Sequence, residues 1–249
     1  MPLPPVLFAI LVGFVLAQIG TLVTTVYLHR GLSHRALSVR PSVEWVLRLI
    51  TWMLTGIRPR QWVAVHRKHH AHTDAEGDPH SPVLEGFAMV QFANVALYRR
   101  VAKDDAQVAR YARDLPADRW DRVLFDHAFL GLGLGIALMA VLWGPLVAAI
   151  AAVTHTVAYL MLNAAVNAVG HTWGRQPFAN TARNSQLLAL FTAGEGLHNN
   201  HHHLPTSPRL AMGHGQIDLG WWFISAARRL RWVTLRDRRP EPAEEPIAA

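Results

Sequence analysis

The chain has 249 residues, of which 51% are hydrophobic and 16% are charged, and its formal net charge is +7. It contains no cysteine, which excludes disulfides, thiolate-bound zinc, iron–sulfur clusters and a cysteine nucleophile. Any metal ion would be held by His, Asn, Asp, Glu or water, and the 15 histidines are the most unusual feature of the composition.

The first predicted element is a transmembrane helix over Val6–Leu28. Its 23 residues would extend about 35 Å as an α-helix, enough to cross a hydrocarbon core of about 30 Å. A signal peptide would have a basic region before its apolar run, whereas no charged residue precedes Arg30 here.

Further along, the segment 43–57 is apolar but too short to span, and Glu44 and Arg48 share one of its faces. We expect a helix lying in the membrane interface there; the alternative is an ordinary core helix.

A second stretch without Asp, Glu, Lys or Arg runs from 127 to 174, and the sequence WGP at Trp143–Pro145 divides it. Gly and Pro interrupt helices, so this stretch predicts a helical hairpin with spans over 124–142 and 146–170. Lys and Arg concentrate in 30–121 and 175–235, which places both segments in the cytoplasm by the positive-inside rule.

These features predict an all-α integral membrane protein with three spans. It would form a single membrane-embedded domain over 1–235, followed by a disordered tail over 236–249 that is rich in Arg, Pro and Glu. Since the positive charges flank the apolar runs, membrane lipid is the expected partner and nucleic acid is not.

Four polar clusters on the predicted cytoplasmic side contain candidate metal ligands. They are HRGLSH with His29 and His34, HRKHH with His66, His69 and His70, NAVGH with Asn167 and His171, and GEGLHNNHHHLP with His198, His201, His202 and His203. Residues spaced i, i+3 and i+4 on a helix lie within one arc, so the HRKHH histidines can face one centre, as can His198, His201 and His202. Asn167 and His171, spaced i,i+4, also share a face. Imidazole is a common ligand for iron, zinc and copper. The nine histidines other than His203, together with one asparagine, exceed the need of one ion, which suggests two.

The spacing of His29 and His34 is i,i+5, which does not share a face on a regular helix. We expect the chain to leave the helix between them, at Gly31. Among the other histidines, His72, His80 and His214 are expected to be polar surface groups or supports for the ligands, and His127 lies near a helix entrance. His155 lies within a span, where polar groups are often functional; we expect it to form a hydrogen bond with a neighbouring helix.

Together, HRGLSHR, HRKHHAHTDAEGDPHSP, NAVGHTWG and GEGLHNNHHHLP resemble the three histidine boxes and the Asn-x-x-x-His element of membrane fatty acyl desaturases of the Δ9 acyl-CoA/acyl-lipid type. RLAMGHGQIDLGWWFI resembles the segment after the third box in bacterial members, and the likeness extends over about 6–232. Family members commonly have four spans, so a first span is missing here or the start was misassigned, and HTWGRQPF replaces the usual GxRP order.

The resemblance implies a cytoplasmic helical cap that holds a diiron centre. The implied ligands are His29, His34, His66, His69, His70, His171, His198, His201 and His202, with Asn167 acting through a bound water and His203 left spare. The implied reaction is the O₂-dependent insertion of a cis double bond, at Δ9, into a saturated acyl chain carried as acyl-CoA, acyl-ACP or acyl-lipid. Electrons would come from an external donor of the ferredoxin, rubredoxin or cytochrome b5 type, because the chain has no haem, flavin or iron–sulfur motif. The expected location is a bacterial inner membrane, with the active site on the cytoplasmic face.

Two alternative functions fit parts of the same pattern. A histidine-rich diiron hydroxylase or other monooxygenase can use similar boxes. A metal transporter is also histidine-rich, but its site would lie near the bilayer midplane, whereas the candidate ligands here cluster at helix ends and in polar segments.

Overall fold

The computed structural model of the protein describes residues 3–236, and these residues are mostly helical. The helices are α1 (Pro5–Val23), α2 (Pro41–Thr55), α3 (Pro59–His72), α4 (Pro82–Glu85), α5 (Phe87–Phe92), α6 (Asn94–Ala102), α7 (Asp105–Tyr111), α8 (Ala128–Trp143), α9 (Pro145–Ala168), α10 (Gln186–Phe191), α11 (His198–His203) and α12 (Leu219–Arg229). Two short strands, β1 (Leu37–Val39) and β2 (Val233–Leu235), pair antiparallel with Ser38 opposite Thr234. The predicted disordered tail lies outside the described residues, except for Arg236.

Two helical segments are long and apolar enough to cross a membrane, namely Pro5–Ser33 and Pro145–Ala168. The span predicted over 124–142 differs, because its α-helix, α8, has only 16 residues, or about 24 Å, which is short for a crossing. Asp121–Phe125 forms a π-helical turn before it, in which the backbone N–H of Asp126 donates to the Asp121 carbonyl at 2.8 Å. The predicted hairpin turn is present: Gly144 has φ 86° and Pro145 begins α9. Glycine adopts a positive φ without steric cost, and proline is favoured at the first position of a helix.

Close helix packing joins these elements into one bundle. A Cβ on Gly13 of α1 would lie 2.5 Å from the Ala151 carbonyl oxygen of α9, so the two backbones can approach only with glycine there. In the same way, a Cβ on Gly131 of α8 would lie 2.5 Å from the Trp52 ring of α2. The helix predicted over 43–57 is therefore present as α2, and it packs against α8 with Trp52 and Thr51 buried.

The sequence suggested that the chain leaves the helix between His29 and His34, but the structure shows that it does not. Instead, α1 continues as a π-helix over Thr24–Ser33, and the backbone N–H of His34 donates to the His29 carbonyl at 3.1 Å. Hydrogen bonds between residues i and i+5 define a π-helix, and such turns are frequent at functional sites. The wider turn brings residues spaced i,i+5 to the same side, so both imidazoles face the same polar interior.

Candidate metal centre

The nine histidines implied as ligands lie in two compact groups. The first histidine group consists of His29, His34, His66, His70 and His201, and the second consists of His69, His171, His198 and His202. Within each group, one ligand atom from every residue lies within 4.8 Å of the others. Neighbouring Nε2 atoms are 2.8–3.0 Å apart in the first group and 3.1–3.3 Å apart in the second.

The expectation that each histidine cluster faces one centre is wrong. In α3, His66 and His70 belong to the first group while His69 belongs to the second. In α11 the division is reversed, because His201 belongs to the first group while His198 and His202 belong to the second. The physical reason is the helical rotation of about 100° per residue, which turns adjacent histidines toward opposite sides of the polar interior.

Three buried carboxylates orient three of these imidazoles. The Nδ1–H groups donate in the pairs His29–Glu195 at 2.8 Å, His69–Asp78 at 2.9 Å and His171–Asp74 at 2.7 Å. A neutral imidazole has a single N–H, so each of these bonds leaves a lone pair on Nε2, directed at the other nitrogens of its group. Carboxylate–histidine pairs of this kind are usual around metal-binding histidines.

Sequence reasoning did not identify these carboxylates. A signal was present, because DAEGD follows the second histidine box and GEG precedes the third. Burial opposes the ionisation of Asp74, but the hydrogen bond from His171 lowers its pKa to about 2. Burial raises the pKa of Asp78 to about 6.

Burial also sets the protonation state of the histidines. Desolvation is the largest cause, followed by repulsion from neighbouring imidazoles, and together they lower the pKa of His70 to about 3. The same causes hold the pKa values of His34, His66, His69, His198, His201 and His202 well below their ordinary value. These imidazoles are therefore neutral near pH 7, which is the form that binds a metal ion. The donor set fits two cations.

Hydrogen bonds fix the helices that present the histidines. Arg67 donates to the carbonyls of Leu32 and Ser33 at the end of the π-helix, at 2.8 and 2.9 Å. In α11, the side-chain amide of Asn199 donates to three oxygens, including the Ala182 carbonyl at 2.9 Å. The Asn200 amide donates to the Leu210 carbonyl at 2.8 Å. The two asparagines of HNNHHH thus anchor one side of α11 while His198, His201 and His202 face the other.

The remaining candidates lie at different distances from the two groups. Asn167 and His198 both line the same cavity, and the indirect role of Asn167 stays a prediction. His203 stacks on Phe178, with ring centroids 3.8 Å apart, and belongs to neither group. His80 is buried beside His69, with ring centroids 4.8 Å apart.

His72, His214, His127 and His155 lie apart from the two groups. His72 contacts the Tyr111 hydroxyl at 3.1 Å, while His214 and His127 are exposed. His155 forms the expected hydrogen bond between helices, to the Leu54 carbonyl at 2.6 Å.

A cavity of about 680 Å³ adjoins the histidine groups. His29, His66 and His198 line one part of it, and Tyr159 and Leu160 of α9 line another. The surface of its lining is mostly apolar. An apolar chain can therefore lie beside the imidazoles.

The structure combines apolar helices able to cross a membrane, two histidine groups able to hold metal ions and an adjoining apolar cavity. Together these features define a histidine-rich, membrane-associated oxidoreductase. A sequence model of the fatty acid desaturase family matches residues 3–234. The chain is 33% identical to Delta-9 acyl-lipid desaturase 2 of Arabidopsis thaliana, over 87% of this chain and 70% of that protein. It is 30% identical to an acyl-CoA C20 Delta5-desaturase of Anemone leveillei, over 86% and 69%, and 32% identical to an sn-2 palmitoyl-lipid 9-desaturase of Nostoc sp. (strain 36), over 81% and 72%. The chain belongs to the fatty acid desaturase family, and its activity is fatty acyl desaturation.

Proposed function

We propose that the protein is an O₂-dependent desaturase that inserts a cis double bond at Δ9 of a saturated acyl chain. Its centre would hold two iron ions, one in each histidine group, with Asn167 acting on the second through a water molecule. The observation that supports this proposal is the convergence of nine imidazoles in two groups beside one cavity. The Δ9 position is supported by the names of the relatives from Arabidopsis and Nostoc.

The chain itself performs the binding and orientation that this chemistry needs. When bound, the two irons supply the reaction with O₂ that removes hydrogen from an unactivated C–H bond, which side chains alone do not achieve. Glu195, Asp78 and Asp74 keep the Nδ1 protons in place, so that the Nε2 lone pairs stay directed inward. The cavity holds the acyl chain in a fixed orientation and keeps water away from it, which favours one pair of carbons over the others.

The acyl carrier is proposed to have an anionic head group. Arg58, Arg99 and Lys103 also line the cavity, and their charges complement the phosphates of CoA, of the ACP prosthetic group or of a phospholipid. The relatives bear the names of acyl-lipid and acyl-CoA desaturases. Electrons are proposed to come from a separate ferredoxin, rubredoxin or cytochrome b5. The location proposed is a bacterial inner membrane, with the histidine-bearing ends of α1 and α9 on the cytoplasmic side, where Lys and Arg are abundant.

The test is expression in a host that lacks unsaturated fatty acids, followed by mass spectrometry of its total fatty acids. The wild-type chain is expected to produce monounsaturated fatty acid with a cis double bond between C9 and C10. His201→Ala, which removes one imidazole from the first group, is the matched inactive control. Both proteins are checked for equal amounts in the membrane.

Two outcomes would contradict the proposal. A hydroxylated product would assign the chain to the hydroxylase alternative. A purified, active protein with one metal ion or none per chain would exclude the two-iron centre.

A further inference from the structure

Helix α12 has an exposed face opposite the one that it packs against the rest of the protein. The buried residues of the helix are Gly220, Ile224 and Ala227. A rotation of about 100° per residue places Trp222, Ala226 and Arg229 on the other side, and all three are exposed. Trp222 is 59% exposed, so a large aromatic side chain lies open on this face.

The packing of α12 against α1 fixes its level relative to the membrane. Ile19 is the last exposed large apolar residue of α1. Leu22 and Val26, about one and two turns later, pack with Ile224 of α12 in one apolar cluster. Helix α12 therefore covers α1 at the level where its lipid-facing surface ends, which is the boundary between membrane and water.

The end of α12 and the turn after it are strongly basic. The segment 219–236 contains no Asp or Glu and four arginines, namely Arg228, Arg229, Arg231 and Arg236. The first three are exposed and form no ion pair with any residue in 3–236. Leu230 and Trp232 lie among them and are 57% and 40% exposed. Arginine beside tryptophan and leucine is the composition of a segment that lies in a membrane interface.

Backbone hydrogen bonds hold this turn in a fixed conformation. Arg231 has φ 58°, and the N–H of Trp232 donates back to the Ala227 carbonyl at 2.8 Å. The Trp232 carbonyl in turn accepts from the N–H of Arg40 at 2.8 Å. The exposed arginines and apolar side chains are thus presented by an ordered turn.

The other end of α12 is tied to the helix that bears the first histidine group. Asp218 caps α12 by accepting the N–H of Trp221 at 2.8 Å. The same carboxylate accepts from Arg30 at 2.9 Å, and both of these side chains are 1% exposed. Arg30 follows His29 in the π-helix, so the position of α12 is coupled to that of His29.

We propose that α12 and the turn after it bind anionic phospholipids at the membrane surface. Trp222, Leu230 and Trp232 enter the boundary between head groups and acyl chains, and the three exposed arginines bind the anionic head groups. Through Arg30, this contact sets the height of the first histidine group above the bilayer. The inference goes beyond the proposed function and does not depend on the bound metal or on the position of the double bond.

A negatively charged electron-donor protein is the rival occupant of the same surface. The large apolar side chains among the arginines favour a lipid surface. So does the continuity of α12 with the lipid-facing part of α1, which ends at Ile19.

The first experiment measures whether the exposed face of α12 lies in the membrane. The chain has no cysteine, so Ala226→Cys carries a nitroxide label at a single position beside Trp222. The full-length protein is placed in liposomes of phosphatidylcholine and phosphatidylglycerol, without substrate. The label is expected to collide more often with O₂, which concentrates in lipid, than with a water-soluble nickel chelate. Ala109→Cys is the matched control, because Ala109 is exposed on α7, which packs against α3, and its label should show the opposite preference.

The second experiment measures the affinity for fluorescent phosphatidylglycerol relative to phosphatidylcholine, on the full-length protein in neutral detergent. The wild type is expected to prefer phosphatidylglycerol. Arg229→Gln should lower this preference by about fivefold, the effect of one basic residue near an anionic surface, and replacing all three arginines should lower it further. Arg110→Gln, at an exposed position of α7, should leave it unchanged.

Three results would overturn the inference. The first is an Ala226→Cys label that the nickel chelate reaches as readily as it reaches the control label. The second is an unchanged lipid preference after all three arginines are replaced. The third is protection of the Ala226→Cys label only after an acidic ferredoxin is added, which would assign the surface to the electron donor. Because each measurement uses protein without substrate, failure to find a Δ9 product would refute the proposed function and leave these results standing.

Discussion

Replacing the carboxylate that orients His171 tests whether the two histidine groups are separate metal sites. Asp74 accepts the Nδ1–H of His171 at 2.7 Å, and the side chains are 5% and 0% exposed. With a pKa of about 2, Asp74 is ionised at every working pH, so Asp74→Asn removes a full charge while keeping the shape. Loss of such a partner typically weakens metal affinity 10–100-fold, or about 1.4–2.7 kcal/mol, and here the loss should be confined to the second group.

The assay is the metal content per chain after dialysis against chelators of increasing strength. Wild-type protein is expected to keep two ions at a chelator strength that removes one from Asp74→Asn. Glu195→Gln should lose one ion as well, but from the first group, because Glu195 accepts from His29. Adding His34→Ala to each variant distinguishes Asp74→Asn from Glu195→Gln, because His34 belongs to the first group only. It should lower the content of Asp74→Asn toward zero and that of Glu195→Gln much less.

Asp104→Asn is the matched control, because that carboxylate caps α7 through the backbone N–H groups of Ala106 and Gln107 and belongs to neither histidine group. It should retain both ions. The reasoning fails if Asp74→Asn loses both ions together at one chelator strength, since the groups would then act as one site. It also fails if Asp74→Asn matches the wild type throughout the series, since the buried carboxylate would then have no effect on the site.

Three further predictions concern single side chains. His201→Ala should abolish desaturation while His203→Ala retains a substantial part, because His203 stacks on Phe178 outside both groups; product analysis at equal amounts of protein, with iron content measured alongside, checks this, and the opposite ranking would refute it. Asn167→Ala should lower turnover while leaving most of the metal bound, whereas His171→Ala should empty the second group; equal metal loss in both would make the asparagine a direct ligand. Hydrogen bonds from Arg67, then from Arg35, hold the pKa of Asp114 far below its usual range against the opposing effect of burial. The stability that these hydrogen bonds contribute is therefore present above about pH 4 and is lost as the pH falls below that value. Asp114→Asn should therefore lower the unfolding free energy near neutral pH by about 1–2 kcal/mol and flatten its acid dependence; an unchanged unfolding profile between neutral and acid pH would contradict the assignment.

Several features of the fold and site could be predicted because they depend on local patterns. Long apolar runs determined the helices at Pro5–Ser33 and Pro145–Ala168, and the WGP sequence determined the turn at Gly144. The nine histidines could be named because each lies in one of four short motifs that resemble those of the desaturase family. Their grouping in space depends on how α3, α11 and the ends of α1 and α9 meet, which no local pattern specifies.

The features that were missed depend on deviations from regular geometry or on contacts distant in sequence. Nothing in HRGLSH indicates i→i+5 hydrogen bonds, so the π-helix could not be distinguished from a helix end at Gly31. Glu195 and His29 are separated by 166 positions and meet only in the folded chain.

The division of the histidines between the two groups follows one rule in both α3 and α11. Residues spaced i,i+4 differ by about 40° around a helix and those spaced i,i+3 by about 60° in the opposite sense. His198 and His202 therefore share the second group while His201 turns to the first, and His66 and His70 share the first while His69 turns to the second. Each helix thus gives two imidazoles to one group and one to the other. The two helices do so in opposite order, and their histidine side chains meet in both groups. A displacement of either helix therefore alters both groups together.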